Sequence, residues 1–269
     1  MPVHASMQSR AVDGVAMGID GPATPQGLNG PTAPQGHRQP PWIVATPSRV
    51  SEFTKCRRAY FNSSILSLGG EHTESPAIEV GLLVHSLLAD SHAAGGCISR
   101  EAIGNAADLH GEEIASMLEA HYDLCPAQSG ATAHLLGAEM DLAWWDSSTR
   151  THFRGRLDAV WDVDGTLTVR DYKTGRHPEE DHRSRFDVSA YAALAAVNFT
   201  GIRPIAVEFE YLASGALERV AFDEFSFQDA LARIRGMAKE IAGTREFPGN
   251  PGIICESCDF RSVCPESAA

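Results

Sequence analysis

The chain has 269 residues, 43% of them hydrophobic, 21% charged and 7% aromatic, enough length for one large domain or two small ones around a real core. A net charge of -13, from 22 Lys and Arg against 35 Asp and Glu, argues against non-specific coating of nucleic acid or anionic membrane, while leaving room for a local basic groove. No apolar run reaches the eighteen or so residues of a membrane span, and no charged-then-apolar leader opens the chain, so the sequence predicts a cytoplasmic protein without membrane contact.

Residues 1–41 carry 7 of the 15 prolines and 6 of the 24 glycines, with no hydrophobic periodicity. That composition predicts a disordered leader. Its charges balance (Arg10 and Arg38 against Asp13 and Asp20), so the acidity belongs to residues 42–269, read as one folded domain. Thr46-Pro47-Ser48 has the pattern of a helix start leading through Phe53 and Cys56 to Phe61. Val80, Val84, Leu87 and Leu88 recur at helical spacing and predict a helix to His92, with another over 98–122. The period then shortens. Segments 138–145, 153–163 and 166–172 read as strands, followed by a helix over 184–198, strands over 205–212 and 218–222, and a last helix over 227–242.

Asp164-Gly165 is a strong signal for a two-residue hairpin turn. Such a turn pairs Val163 with Thr166, which sets Asp158 opposite Asp171 and Arg156 opposite Lys173, all four on one face with Val160, Leu167 and Val169. Opposed carboxylates repel unless they are neutralised, and a divalent cation such as Mg²⁺ or Mn²⁺ does that while activating water for attack on phosphorus. Lys173 could then orient that water or stabilise developing phosphoryl charge. Ion pairing of the two acids with the two bases is an equally good reading of the spacing alone.

Three cysteines, Cys255, Cys258 and Cys264, close the sequence within ten residues, and Cys56 is a distant fourth. Four thiolates hold either structural Zn²⁺ or an iron-sulfur cluster, and spacing does not choose between them. Cys97 and Cys125 fall outside the pattern and read as ordinary thiols.

Four ordered motifs carry a resemblance: a Ser48-to-Cys56 opening, Gly81-Leu82-Leu83-Val84-His85, Gly155-Arg156-Leu157-Asp158, and Asp171-Tyr172-Lys173-Thr174-Gly175. Together they resemble the RecB-like branch of the PD-(D/E)XK nuclease superfamily, similar to its CRISPR-associated exonucleases and AddB-type domains. The resemblance implies an α/β, restriction-endonuclease-like fold, a mixed central sheet flanked by helices. It implies Asp158, Asp171 and His85 as metal ligands, Lys173 acting on the nucleophilic water, and a 4Fe-4S cluster on Cys56, Cys255, Cys258 and Cys264 that ties the chain ends.

The activity implied is Mg²⁺- or Mn²⁺-dependent exonucleolytic cleavage of DNA, on single strands or ends, in repair, recombination, phage DNA processing or CRISPR adaptation. The other class it admits is an iron-sulfur nucleic-acid-binding scaffold with little or no nuclease activity. Self-assembly and complexes with other DNA-processing proteins are compatible with both. Two positions depart from the pattern or are weaker. Asp187 stands where the branch has Gln, four residues before Tyr191, and reverses the hydrogen-bonding sense expected there; Glu139 reads as a solvent-facing strand carboxylate. Basic residues gather around Cys56 (Lys55, Arg57, Arg58), before Asp158 (Arg154, Arg156) and at Arg183 and Arg185, where they could line a channel for a phosphate backbone, with Tyr60, Phe61 and Tyr191 as stacking candidates.

Overall fold

The computed structural model describes residues 42–70, 75–94, 96–175, 185–200 and 204–267. The expected leader, residues 1–41, and Arg183 lie outside the described residues. Six strands form one mixed sheet: β1 (Ile43–Ala45), β2 (Ala133–Asp146), β3 (Thr151–Val163), β4 (Thr166–Lys173), β5 (Ile205–Tyr211) and β6 (Ala216–Phe222), in the order β1-β3-β4-β5-β6, with β2 also paired to β3. Pairing of β1 with β3 and of β4 with β5 is parallel; the remaining pairs are antiparallel.

The predicted hairpin forms at the predicted register, Val163 opposite Thr166 and Val160 opposite Val169. Asp164 and Gly165 both have positive φ (49° and 80°), the backbone that a two-residue turn matched to strand twist requires. The ladder runs only to Ala159 opposite Arg170, one pair short of the two aspartates.

Two hydrophobic clusters sandwich the sheet. One face packs α1 (Pro47–Lys55), α6 (Phe186–Asn198) and α7 (Glu224–Gly243) through Phe53, Leu194, Leu231 and Ile234 against Val160, Leu167, Val169 and Phe209. The other packs α3 (Pro76–Ala93), α4 (Arg100–His110) and α5 (Glu112–Leu124) through Val84, Leu88, Ile103 and Leu118 against Ala159, Trp161 and Tyr172. Each fully buried Leu or Phe contributes about 1.5–3 kcal/mol. Residues 188–197 of α6 are all buried, because five alanines let the sheet and α7 close on both sides of a helix with no polar face.

The segment predicted as one helix over 98–122 is two, broken at Gly111, whose φ of 93° a helix cannot contain. Thr46 caps α1 as expected, accepting the Arg49 N–H at 3.2 Å. The last helix starts three residues earlier than predicted, on a capping box between Asp223 and Ser226. Cys56 interrupts the first helix, ending α1 and starting α2 (Arg57–Tyr60), which runs on into a π-turn over Phe61–Ile65. No helix among the described residues is long and apolar enough to cross a membrane.

Candidate active site

One edge of β3 is occupied by β2 along its whole length, Thr151 to Val163. The other edge is shared, with β1 covering Thr151–Phe153 and β4 covering Ala159–Val163. Residues 154–158 lie in the fork between them. There the alternation of β3 breaks. Leu157 and Val160 both pack into the α6-side cluster, whereas strict alternation would send them to opposite faces. Asp158 sits at the switch, so it does not share a regular face with Arg156 and Lys173 as the sequence predicts.

Its side chain turns into the fork, where Oδ2 accepts the Tyr172 N–H at 2.8 Å in place of a ladder bond. Oδ1 lies 3.5 Å from His85 Nδ1, supplied by α3. The other ring nitrogen of His85, Nε2, donates to the Tyr172 carbonyl at 3.0 Å. A carbonyl only accepts, so neutral His85 carries its lone pair on Nδ1, toward the carboxylates.

Glu139 belongs to this group, contrary to its solvent-facing reading. A bulge between Leu135 and Gly137 shifts the register of β2, and Glu139 itself has φ of 48°, which turns its carboxylate inward to 3.9 Å from His85 Nδ1. Ligand atoms of His85, Glu139 and Asp158 all lie within 4.8 Å of one another. Arg156 is diverted to β2, bonding Asp141 at 2.9 and 3.2 Å and approaching Glu139 at 3.7 Å rather than facing Lys173.

Asp171 is buried and pairs with Lys173 Nζ at 2.5 Å; Tyr191 of α6 also hydrogen-bonds to it. Burial pushes the Asp171 carboxyl up to about 6, with Asp158 adding to the rise and Lys173 opposing it. Burial likewise raises Glu139, again with Asp158 adding. Burial pulls His85 down, but Asp158, Asp171 and Glu139 more than offset it, and its pKa is raised. Burial is the first cause of the two carboxyl shifts, and the rise at His85, together with the contribution of Asp158 to each carboxyl, reports negative charge gathered in a confined space, the condition a bound cation relieves. Two carboxylates and an imidazole, with a third carboxylate beside them, make a donor set that fits a hard divalent ion.

A cavity of about 500 Å³ runs along the open edge of β3, lined by Arg49, Arg154, Arg156 and Asp141 and floored by Tyr191. Arg49 was not among the residues the sequence singled out. Its signal was available, one turn after the Thr46 cap at the start of the motif-bearing helix.

Of the other basic residues, Arg58 bonds Glu266 at 2.9 and 3.3 Å and fastens the C-terminal segment, while Arg57 bonds Glu240 of α7 at 2.7 Å; neither lines the cavity. Arg185 pairs with Asp187 at 3.0 and 2.5 Å and stacks over Phe209. Asp187, which stands where the branch has Gln, is thus neutralised by Arg185 at the start of its own helix. Tyr60 is buried between Phe53 and Phe247 and is core, not a stacking platform.

The four cysteines of the expected cluster share one cavity of about 480 Å³ between α1, α2 and the tail. Asn250 bonds the Lys55 carbonyl at 3.0 Å and helps to close it. Burial and the neighbouring thiols Cys56, Cys255 and Cys264 raise the Cys258 pKa. Among the described residues, no three of these four sulfurs fall within the 4.8 Å spacing that marks the His85 group.

Residues 44–265 match the PD-(D/E)XK nuclease superfamily. The chain belongs to that family, whose members are nucleases that use divalent metal ions. Within it, an alignment 134 residues long that covers 47% of the chain is 29% identical to a CRISPR-associated exonuclease Cas4/endonuclease Cas1 fusion of Myxococcus xanthus (strain DK1622). That alignment spans 22% of the fusion's length. Two solved structures align over most of both chains: SSO0001, at 14% identity and a TM-score of 0.41 with 84% and 87% coverage, and a protein from Eubacterium rectale, at 11% and 0.45 with 83% and 90%.

Proposed function

We propose that this chain is a Mg²⁺- or Mn²⁺-dependent deoxyribonuclease that shortens single-stranded DNA or DNA ends, with a 4Fe-4S cluster joining the two ends of its nuclease domain. The observation that carries the reading is the convergence of His85, Glu139 and Asp158 within 4.8 Å, beside the Asp171–Lys173 pair, at an open sheet edge. His85, Asp158 and Asp171 hold the metal, and Glu139 joins them. When bound, the metal supplies charge neutralisation and a water acidic enough to attack phosphorus.

The chain's own residues do the remaining work. Tyr172 fixes Asp158 through its N–H and His85 through its carbonyl, so two ligands are set by main-chain atoms. Asp171 keeps Lys173 protonated despite burial, the form in which its Nζ would hold the attacking water or the phosphoryl oxygen. Arg49 and Arg154 give the backbone of a single strand two charges to follow.

Cys56 opposite the triplet Cys255, Cys258 and Cys264, rather than two paired cysteine knuckles, favours a cluster over zinc.

Digestion of end-labelled linear and of circular single-stranded DNA with Mg²⁺ or Mn²⁺ tests the activity. Release of mononucleotides or short fragments from linear DNA, with the circle spared, is the expected result; binding of both without cleavage would place the chain with the scaffolds. Anaerobically purified protein should be brown and contain iron and labile sulfide. Stoichiometric zinc and no iron after iron-replete anaerobic expression overturns the cluster and leaves the nuclease site standing.

A further inference from the structure

Behind the active site, on the α3–α5 side of the sheet, lies a second convergence that the nuclease reading does not use. Cys97 follows α3, His121 lies in the last turn of α5, and Cys125 is that helix's C-cap, four residues beyond His121 and so above it on the same helical face. A ring nitrogen of His121 and the two sulfurs all lie within 4.8 Å of one another. His121 and Cys125 are fully buried.

The two nitrogens of His121 are in unlike situations. Nδ1 is 2.9 Å from Glu210 Oε1 and donates to it, whereas Nε2 is buried with no nitrogen or oxygen partner, and the Cys125 thiol is the other group the ring engages. A buried imidazole between a carboxylate and a thiol is held in place and presents its second nitrogen on the sulfur side. A carboxylate holding the far N–H of a histidine is the arrangement that orients imidazole toward a metal.

We propose that Cys97, His121 and Cys125 bind a structural Zn²⁺ through two sulfurs and His121 Nε2. Charge supports zinc at this depth. Two thiolates cancel the ion, and the Glu210 carboxylate is matched by Arg170, 3.0 Å away, which also bonds Glu208, itself paired with Arg219. The pocket is thus neutral with the ion in place. Sulfur and imidazole donors select a borderline-soft ion such as zinc over the hard ions suited to His85, Glu139 and Asp158. Zinc here would pin the end of α5 and the segment after α3 to β5 through Glu210. His121 also packs edge-on against Tyr172, ring centroids 5.1 Å apart, on the residue whose main chain sets Asp158 and His85.

The test is metal analysis and zinc K-edge X-ray absorption on the full-length protein purified anaerobically without added zinc. About one zinc per chain is expected, in a shell of two sulfurs at about 2.3 Å and one nitrogen at about 2.0 Å plus one further light atom. Cys125→Ser and His121→Ala should each lose that zinc without losing iron. Should those variants not fold, the wild-type absorption spectrum decides alone. Absence of zinc, zinc in an all-sulfur shell, or a Cys97–Cys125 disulfide found by peptide mapping would each overturn the proposal. The outcome is independent of cleavage, so failure here leaves the nuclease reading untouched.

Discussion

The His85, Glu139 and Asp158 group and the Cys97, His121 and Cys125 group each bring three ligand atoms within 4.8 Å, yet they lie in opposite surroundings. The first is partly exposed and built from oxygens and one imidazole, and Arg156, which lines the arginine cavity, comes within 3.7 Å of its Glu139. The second is built from sulfur and imidazole, with His121 and Cys125 fully buried. A site that must admit substrate and exchange water uses hard, hydrated donors at a fork in the sheet; a site that only joins elements uses soft donors and excludes water. The histidines make the contrast concrete. His85 is oriented by a backbone carbonyl and His121 by a carboxylate, and in each case the other nitrogen is left for the group in front.

The strongest way to break this contrast is at Asp171 and Lys173. Lys173→Ala, or Asp171→Asn, which keeps the shape of the buried side chain beside Tyr191, should lower metal-dependent cleavage by about 10²–10³-fold or more, with unchanged circular dichroism. Unchanged turnover in a folded variant removes the assignment.

Next in size, brief EDTA treatment should abolish cleavage, and added Mn²⁺ should restore it, while zinc content by mass spectrometry stays constant. Loss of both together would show that the two groups do not differ in accessibility as their burial implies.

Glu139→Gln should raise the Mn²⁺ concentration needed for half-maximal cleavage by about 10–100-fold. Sequence legibility is sharpest at this residue. The Asp164-Gly165 turn and the register beside it, from Val163 opposite Thr166 to Ala159 opposite Arg170, are local and form where the residues predict. Glu139 depends on a bulge at Leu136 and a positive φ at a non-glycine residue, both imposed by how β2 wraps β3, and no local pattern announces them. Cys97 and Cys125 meet for a similarly non-local reason, since α4 and α5 fold back on each other between them. Gly111 is the opposite case, a helix break that the sequence displays and that a stricter reading of glycine would have used.

A smaller effect concerns pH. Asp171 titrates near 6 in the free protein, above its ordinary range, and the raised pKa of His85 also favours its protonated form, so protons compete with the metal as pH falls. Apparent Mn²⁺ affinity, measured by titration between pH 5 and 8, should weaken by about tenfold per unit below 6 and level off above the pKa values of both groups. Flat affinity across this range would show that neither group titrates on binding. Smallest of all, Arg154→Gln should cost only a few-fold in DNA affinity and reduce the salt dependence by about one phosphate contact.

Tyr172 holds Asp158 and His85 with atoms that every amino acid except proline possesses, its amide hydrogen and its carbonyl oxygen. Its side chain has a separate task, the phenol meeting His92 Nε2 at 2.8 Å while His92 Nδ1 donates to the Gly96 carbonyl at 2.9 Å. Genetic change can therefore alter the packing behind the sheet without erasing the template in front of it. A Phe at this position should keep Asp158 and His85 in place and cut only the tie to His92, whereas a Pro should dismantle the metal site at a single stroke. Neutral drift has access to one half of this residue and not to the other, which gives the nuclease centre a tolerance to mutation at its own floor.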